Sequence, residues 1–266
     1  MTHILATMLS KGGVGKTAVT ISLGAALAAS GKRVLLIDLD PQGHLTEGVG
    51  LQDAYVSEEP GLFQALSDPR ATPLAHLIKA APHDAFFVVP ANYEMMLAEQ
   101  KLFMARGREN KLHELLEPIG GFDYILIDCP PSLGMLTDNA LNAARNIIVP
   151  VQAETTSLRA LELLYDQIES IEQGLSIHIE IVAVVANLVQ ESVLANKTLS
   201  DFKQLPVFCP TVIRKRVVIQ SAWQQGCSIF SYTPANRNED KAKEEMTSAF
   251  THVAEYVMQR VEEGQP

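Results

Sequence analysis

The chain is predicted to fold as a single α/β domain in which a mostly parallel, twisted sheet is covered by helices on both faces. Three observations predict this. Apolar strand-like runs recur along the sequence with helix-like stretches between most of them, the alternation that builds parallel sheets buried on both sides. A glycine-rich segment joins the first strand-like run to the first helix-like one. At 266 residues and 47% hydrophobic content, the chain can bury a full core, and no Pro/Gly/Ser-rich linker divides it. One domain spanning residues 1–266 is therefore expected.

The first strand is read at His3 to Leu9, a mostly apolar run. From Thr17 to Ser30, the apolar residues Val19, Ile21, Leu23, Ala26 and Leu27 fit a buried helix, and Gly31 supplies its stop. Further strands are read at Arg33 to Asp38, Ala85 to Pro90, Tyr124 to Asp128, Asn146 to Pro150 and Glu180 to Asn187. Pro130 and Pro131 end the strand at Asp128 abruptly. Met95, Met96 and Leu97 read as core. The stretch Glu244 to Val261 carries Met246, Phe250, Val253, Val257 and Val261 on one stripe, so it reads as a helix docked on the sheet.

Between the first strand and helix stands Ser10-Lys-Gly-Gly-Val-Gly-Lys-Thr17. Such a loop cradles phosphate: glycines let consecutive backbone N–H groups converge on an anion, a lysine reaches the β/γ-phosphates and a hydroxyl reaches Mg²⁺. Gly12, Gly13, Gly15, Lys16 and Thr17 supply these parts, Val14 and Ala18 complete the run, and the helix N-terminus adds its own N–H groups and dipole. ATP and Mg²⁺ are the expected ligands. The strict consensus wants Gly where Ser10 stands, and a second lysine, Lys11, precedes Lys16 by five residues.

Two acidic motifs extend this site. Asp38-Leu-Asp-Pro-Gln-Gly43 puts Asp38 and Asp40 on the same side of a strand end. Either could hold a metal-bound water or polarise the water that attacks the γ-phosphate; a turn-capping role stays open for either one. Tyr124-Ile-Leu-Ile-Asp128 is four apolar residues ending in an acid, placing Asp128 to reach Mg²⁺ through a water. Thr17, Asp38 and Asp128 form the expected metal set.

Charge divides two ways. The chain has 21 Lys+Arg against 31 Asp+Glu, a net charge of −10, which disfavours nucleic acid as a partner. From Ala195 to Arg237, however, Lys197, Lys203, Arg214, Lys215, Arg216 and Arg237 face one acid, Asp201. Doubled in a dimer, such a patch could contact DNA phosphates without reading bases; Arg214, Lys215, Arg216 and Lys203 are the candidates, with an ordinary solvated face as the alternative. Lys241 and Lys243 stand among four acids and read as helix-surface pairs. Cys129, Cys209 and Cys227 have no metal-ligand spacing, and their sparse, odd count suits a reducing cytoplasm.

These motifs closely resemble the ParA/MinD family of deviant Walker A ATPases, and within it the ParA-like (Soj-type) partition ATPases. The resemblance runs through residues 11 to 17, 38 to 43, Ile127-Asp-Cys-Pro-Pro-Ser-Leu-Gly134, Asn139-Ala-Leu-Asn-Ala-Ala144 and Ile148-Val-Pro-Val-Gln-Ala-Glu154. It implies that Lys11 crosses an ATP-sandwiched homodimer to the other subunit's nucleotide. Lys16 and Thr17 would hold phosphate and Mg²⁺, Asp40 would position the hydrolytic water, and Asp38 would neighbour the metal. The implied cycle is ATP binding, dimerisation, adsorption to non-specific DNA in the nucleoid, and release when a ParB-like or other adaptor stimulates a slow hydrolysis. The cargo implied is a plasmid, a chromosome origin or a protein assembly such as a carboxysome. Related chains often carry a proline near the adenine, in an Ile-Pro-Arg stretch with Glu-Ala-Pro after it. Here Ile213-Arg-Lys-Arg-Val-Val218 and Ser221-Ala-Trp223 stand there, and Pro210 lies upstream. Asn187 and Pro210 are the candidate adenine contacts, Asn187 being equally suited to a turn.

Three rivals share the fold. A MinD-like membrane ATPase needs a basic amphipathic C-terminal helix, whereas this tail is acidic at its end, so stable membrane binding is not expected. An iron–sulfur reductase needs surface cysteines shared by two subunits. A metabolic ligase of the dethiobiotin or cobyrinate type would couple ATP to a small-molecule acid. With the first strand beginning at about residue 3, no N-terminal helix-turn-helix extension is expected.

Overall fold

The structure is a computed structural model that describes residues 2–264. In chain order, β1 (His3–Thr7) leads to α1 (Lys16–Ala29), followed by β2 (Val34–Asp38), α2 (His44–Gly48), α3 (Gln52–Tyr55) and α4 (Leu62–Ser67). Then come β3 (Lys79–Ala80), β4 (Phe87–Val89), α5 (Ala98–Phe103), α6 (Lys111–Leu116), β5 (Tyr124–Asp128), α7 (Met135–Ala144) and β6 (Asn146–Val151). The chain closes with α8 (Thr155–Leu175), β7 (Glu180–Ala186), α9 (Val193–Phe202), α10 (Val217–Gln224) and α11 (Arg237–Glu263).

Seven strands form one sheet in the order β3-β4-β2-β5-β1-β6-β7. Every pairing is parallel except the two-residue β3, which runs antiparallel to β4 at the edge. The mostly parallel sheet is thus as expected, and six strands stand where the apolar runs lie. The edge strand β3 was not legible: Lys79 and Ala80 are exposed and too short to carry a pattern.

Side-chain alternation splits the core in two. Leu35, Ile37, Ile125, Ile127, Ile147 and Val149 face one side, while Val34, Leu36, Tyr124, Leu126 and Ile148 face the other, the period-two placement of a strand. All five residues of β2 and of β5 are buried, because helices cover both faces. On the second side lie α1 and α11, and α11 lays Met246, Phe250, Val253, Val257 and Val261 on the core. That helix is anchored by Asn236, whose side chain caps it through the N–H groups of Asn238 and Glu239.

Two local expectations need correction. Met95 is buried, but Met96 and Leu97 are 59% and 51% exposed; all three sit on a single 3-10 turn, Tyr93–Leu97, where consecutive side chains point apart. Lys243 does not pair with a neighbouring glutamate; its Nζ donates to the Tyr232 carbonyl at 2.7 Å, fixing the loop ahead of α11.

Candidate nucleotide-binding site

The strand order diverges around β1, which lies between β5 and β6; the crevice beyond its carboxyl end is where ligands settle in open α/β sheets. The glycine loop turns there. Gly13 (φ 76°) and Gly15 (φ 82°) are left-handed, a conformation costly for any side chain. A Cβ on Gly15 would also run into the Asn187 amide. Asn187, at the end of β7, donates from Nδ2 to the Val14 carbonyl at 2.8 Å, so this buried amide holds the loop in place.

Lys16 opens α1 and is 93% hidden. Its Nζ folds back over the loop, donating to the Leu9 and Lys11 carbonyls at 3.3 and 3.4 Å. Burial pushes its pKa down, with Asp128 opposing. Thr17 Oγ1 donates to Asp128 Oδ2 at 2.7 Å, and Thr20, one turn further along the same helix face, donates to Asp128 Oδ1 at 3.2 Å.

Asp38 and Asp128 end adjacent strands in register. Asp38 is buried; its Oδ2 accepts from the Thr46 N–H (2.7 Å) and hydroxyl (2.6 Å), while Oδ1 is buried without a partner. Burial raises the Asp38 pKa to about 7 against the bonds from Thr46. Burial, followed by the charge of Asp38, raises Asp128 to about 8. Two buried acids and an orphaned oxygen call for a cation, and an all-oxygen set suits Mg²⁺, which takes only one or two carboxylates alongside waters and phosphate oxygens. Consistent with so sparse a set, no group of three or more acids, histidines or cysteines among the described residues could hold a metal ion by itself. Asp40 is also buried, and its Oδ1 accepts from the Gln42 N–H at 3.0 Å; the turn role left open by the sequence is therefore present.

Thr20 and Thr46 were missed in the sequence. Thr20 was findable, since it falls three residues after Thr17 on a helix. Thr46 carried no signal, because only the fold brings α2 to the end of β2.

Lys11 stands apart from this cluster. Its Nζ reaches the start of α8, donating to Glu154 Oε2 (2.7 Å), Thr156 Oγ1 (2.8 Å) and Ser157 Oγ (3.3 Å). The same segment grips the loop again where Gln152 Nε2 donates to the Gly13 carbonyl at 3.1 Å.

Beside the loop, a mostly apolar cleft of about 370 Å³ runs between α1 and α10. Thr17, Ala18 and Ser22 line one wall, and Ile219 and Trp223 the other. Trp223 Nε1 donates to the His44 carbonyl at 3.1 Å, which fixes the indole against α2. Pro210 is exposed and does not line this cleft.

The basic run 214–216 precedes α10. The fold brings it acids that the local count did not include: Arg214 pairs with Glu191 at 2.9 Å, and Arg216 bonds Glu245 of α11 through both Nε and Nη2 at 2.9 Å. The local excess of positive charge is correspondingly smaller than the sequence window suggested. Lys203 and Lys215 are exposed and make no ion pair among the described residues. All three cysteines are buried and free, which removes the surface thiols an iron–sulfur reductase would need. Among the described residues, no helix is long and apolar enough to cross a membrane.

The strand order, the glycine loop and the acids at its mouth define a P-loop ATPase fold. Comparison with known proteins agrees. A family model described as an AAA domain (AAA_31) matches residues 2–181. The sporulation initiation inhibitor protein Soj of Bacillus subtilis is 36% identical over 90% of this chain and 95% of its own length. The chromosome-partitioning ATPase Soj of Thermus thermophilus is 35% identical over 96% and 94%. Among solved structures, a cobyrinic acid a,c-diamide synthase from Mycobacterium smegmatis, with bound ATP analog and magnesium, superposes with a TM-score of 0.81 at 30% identity, covering 100% of this chain and 98% of that one. The chain belongs to the ParA/Soj family of chromosome-partitioning ATPases.

Proposed function

We propose that this partition ATPase is an ATP-dependent dimerisation switch that adsorbs to arbitrary DNA in its ATP state. It positions a plasmid, a chromosome origin or a protein assembly, and a ParB-like or other adaptor triggers its release. In this reading the loop 11–18 cradles the phosphates, with Lys16 swinging from the Leu9 and Lys11 carbonyls onto them. The adenosine would lie in the cleft between α1 and α10, and Asn187, bonded to the Val14 carbonyl, would support the loop beside it. Thr17, Asp38 and Asp128 hold Mg²⁺, which would neutralise charge on the β- and γ-phosphates. Asp40 uses its remaining oxygen to orient the attacking water.

The observation that carries the reading is Lys11. Lys16 already occupies the loop, while the Lys11 ammonium points out of it towards α8, which supports a role for this second cation at another subunit's nucleotide rather than at its own. A cation supplied in trans stabilises the charge of phosphoryl transfer as an arginine finger does.

The structural likeness to a diamide synthase favours one other reading, a ligase that couples ATP to a small carboxylic acid. Steady-state turnover separates the two. The switch requires a slow, Mg²⁺-dependent rate per chain that rises with protein concentration and with DNA plus adaptor. A rate independent of protein concentration that waits on a small carboxylate would instead establish the ligase.

A further inference from the structure

At the mouth of the site Lys11 is held in an ion pair with Glu154 of its own subunit, 2.7 Å apart. An ammonium has three donors and no acceptor, and in this conformation all three donors of Lys11 are satisfied within its own subunit by Glu154, Thr156 and Ser157. Lys11 is the more enclosed partner, with its side chain 21% exposed against 57% for Glu154. Glu154 occupies the N-cap position of α8 without capping a backbone N–H; its only bond to the helix is from the Thr156 hydroxyl, at 3.4 Å to Oε2. Its carboxylate turns to Lys11 instead, which holds its pKa below the usual carboxylate range.

We propose that Glu154 is a positioning residue that holds Lys11 in cis and thereby sets how readily ATP-bound subunits pair. This rests on the reading above, in which Lys11 reaches the partner's nucleotide. To cross, each Lys11 must leave a carboxylate and two hydroxyls for the phosphate of the other subunit. A carboxylate at this place therefore competes with that phosphate for the same ammonium. Because the dimer has two such crossings, the competition counts twice. The two hydroxyls orient the ammonium without carrying charge, so Glu154 sets most of the strength of the hold.

Thermodynamics then fixes the sign. Weakening the cis contact raises the free energy of the unpaired subunit and leaves the paired one unchanged, so dimers form at lower protein concentration. A partly exposed ion pair of this kind is worth about five-fold in an equilibrium constant, hence about 25-fold for the two crossings together.

The test is the dimer dissociation constant by sedimentation, with Mg²⁺ and a hydrolysis-resistant ATP analogue, for the full chain and four variants. E154Q is expected to dimerise at about 25-fold lower concentration than the wild type, and E154D, which keeps the charge on a shorter stem, in between. K11A is expected to bind the analogue and stay monomeric, and K11A/E154Q to behave as K11A does. If K11A dimerises as well as the wild type, the trans role of Lys11 fails and the inference falls with it. If K11A stays monomeric while E154Q matches the wild type, the trans role stands and the inference alone is overturned. E154D pairing as readily as E154Q would also overturn it, since charge would then not be what holds Lys11.

Discussion

Two buried acids govern how the isolated chain answers pH. Asp38 and Asp128 have pKa values raised by burial to about 7 and about 8, well above the ordinary carboxylate value of about 4. Between those limits the folded state holds protons that the unfolded state has released, so stability falls as pH rises. Without nucleotide or metal, the melting temperature is expected to be lower at about pH 8 than at about pH 6, and Asp38→Asn should shrink that difference; a flat profile in the wild type would mean that both acids are already compensated. Lys16→Ala should abolish nucleotide binding in a fluorescent-nucleotide titration, since among the described residues it is the Lys16 ammonium that folds over the loop. Asp40→Ala should bind ATP and accumulate as a DNA-bound dimer, and rapid turnover by that variant would refute its role in orienting water.

At the scale of elements, α1 and its loop were legible from a strand-glycine-helix order alone, because glycines, lysine and hydroxyl have to occur at fixed spacing there. The partner elements were not. The sequence suits Asn187 to an adenine contact or a turn, and its bond to Val14 emerges only when β7 is folded beside β1 through β6. Asn187→Ala should leave the Val14 carbonyl without its donor and lower stability by about 1–2 kcal/mol, measurable by urea unfolding. In the same way, Glu191 and Glu245 were invisible to a count along residues 195–237, yet each meets an arginine of the basic run. In the proposed switch, Lys203 and Lys215, which have no such partner among the described residues, would carry more of the DNA contact than Arg214 and Arg216. Replacing Arg214, Lys215 and Arg216 together should weaken DNA binding and reduce the salt slope by about 0.9 for each phosphate no longer neutralised, sparing ATP-dependent dimerisation. A variant that no longer dimerises would point to a structural role for the segment.

Over the whole molecule, the candidate site lies at the carboxyl ends of central strands: β1 leads into the loop, β2 into Asp38 and Asp40, and β5 ends on Asp128. Fold class was readable because buried parallel strands leave long apolar runs such as Tyr124 to Ile127. Short or exposed pieces, such as β3 and the turn at Tyr93–Leu97, left none. The apolar face of α11 is laid on the core and so is not offered to a membrane, and the proposed switch makes DNA the matrix. The most direct measurement is co-sedimentation of the full chain with duplex DNA of arbitrary sequence, in ATP and Mg²⁺ against ADP and Mg²⁺, over a range of salt. The expected result is a dimer bound to DNA with ATP only, at an affinity that falls steeply as salt rises. Binding that is equal in both nucleotides, or absent in both, would contradict a nucleotide-gated DNA switch.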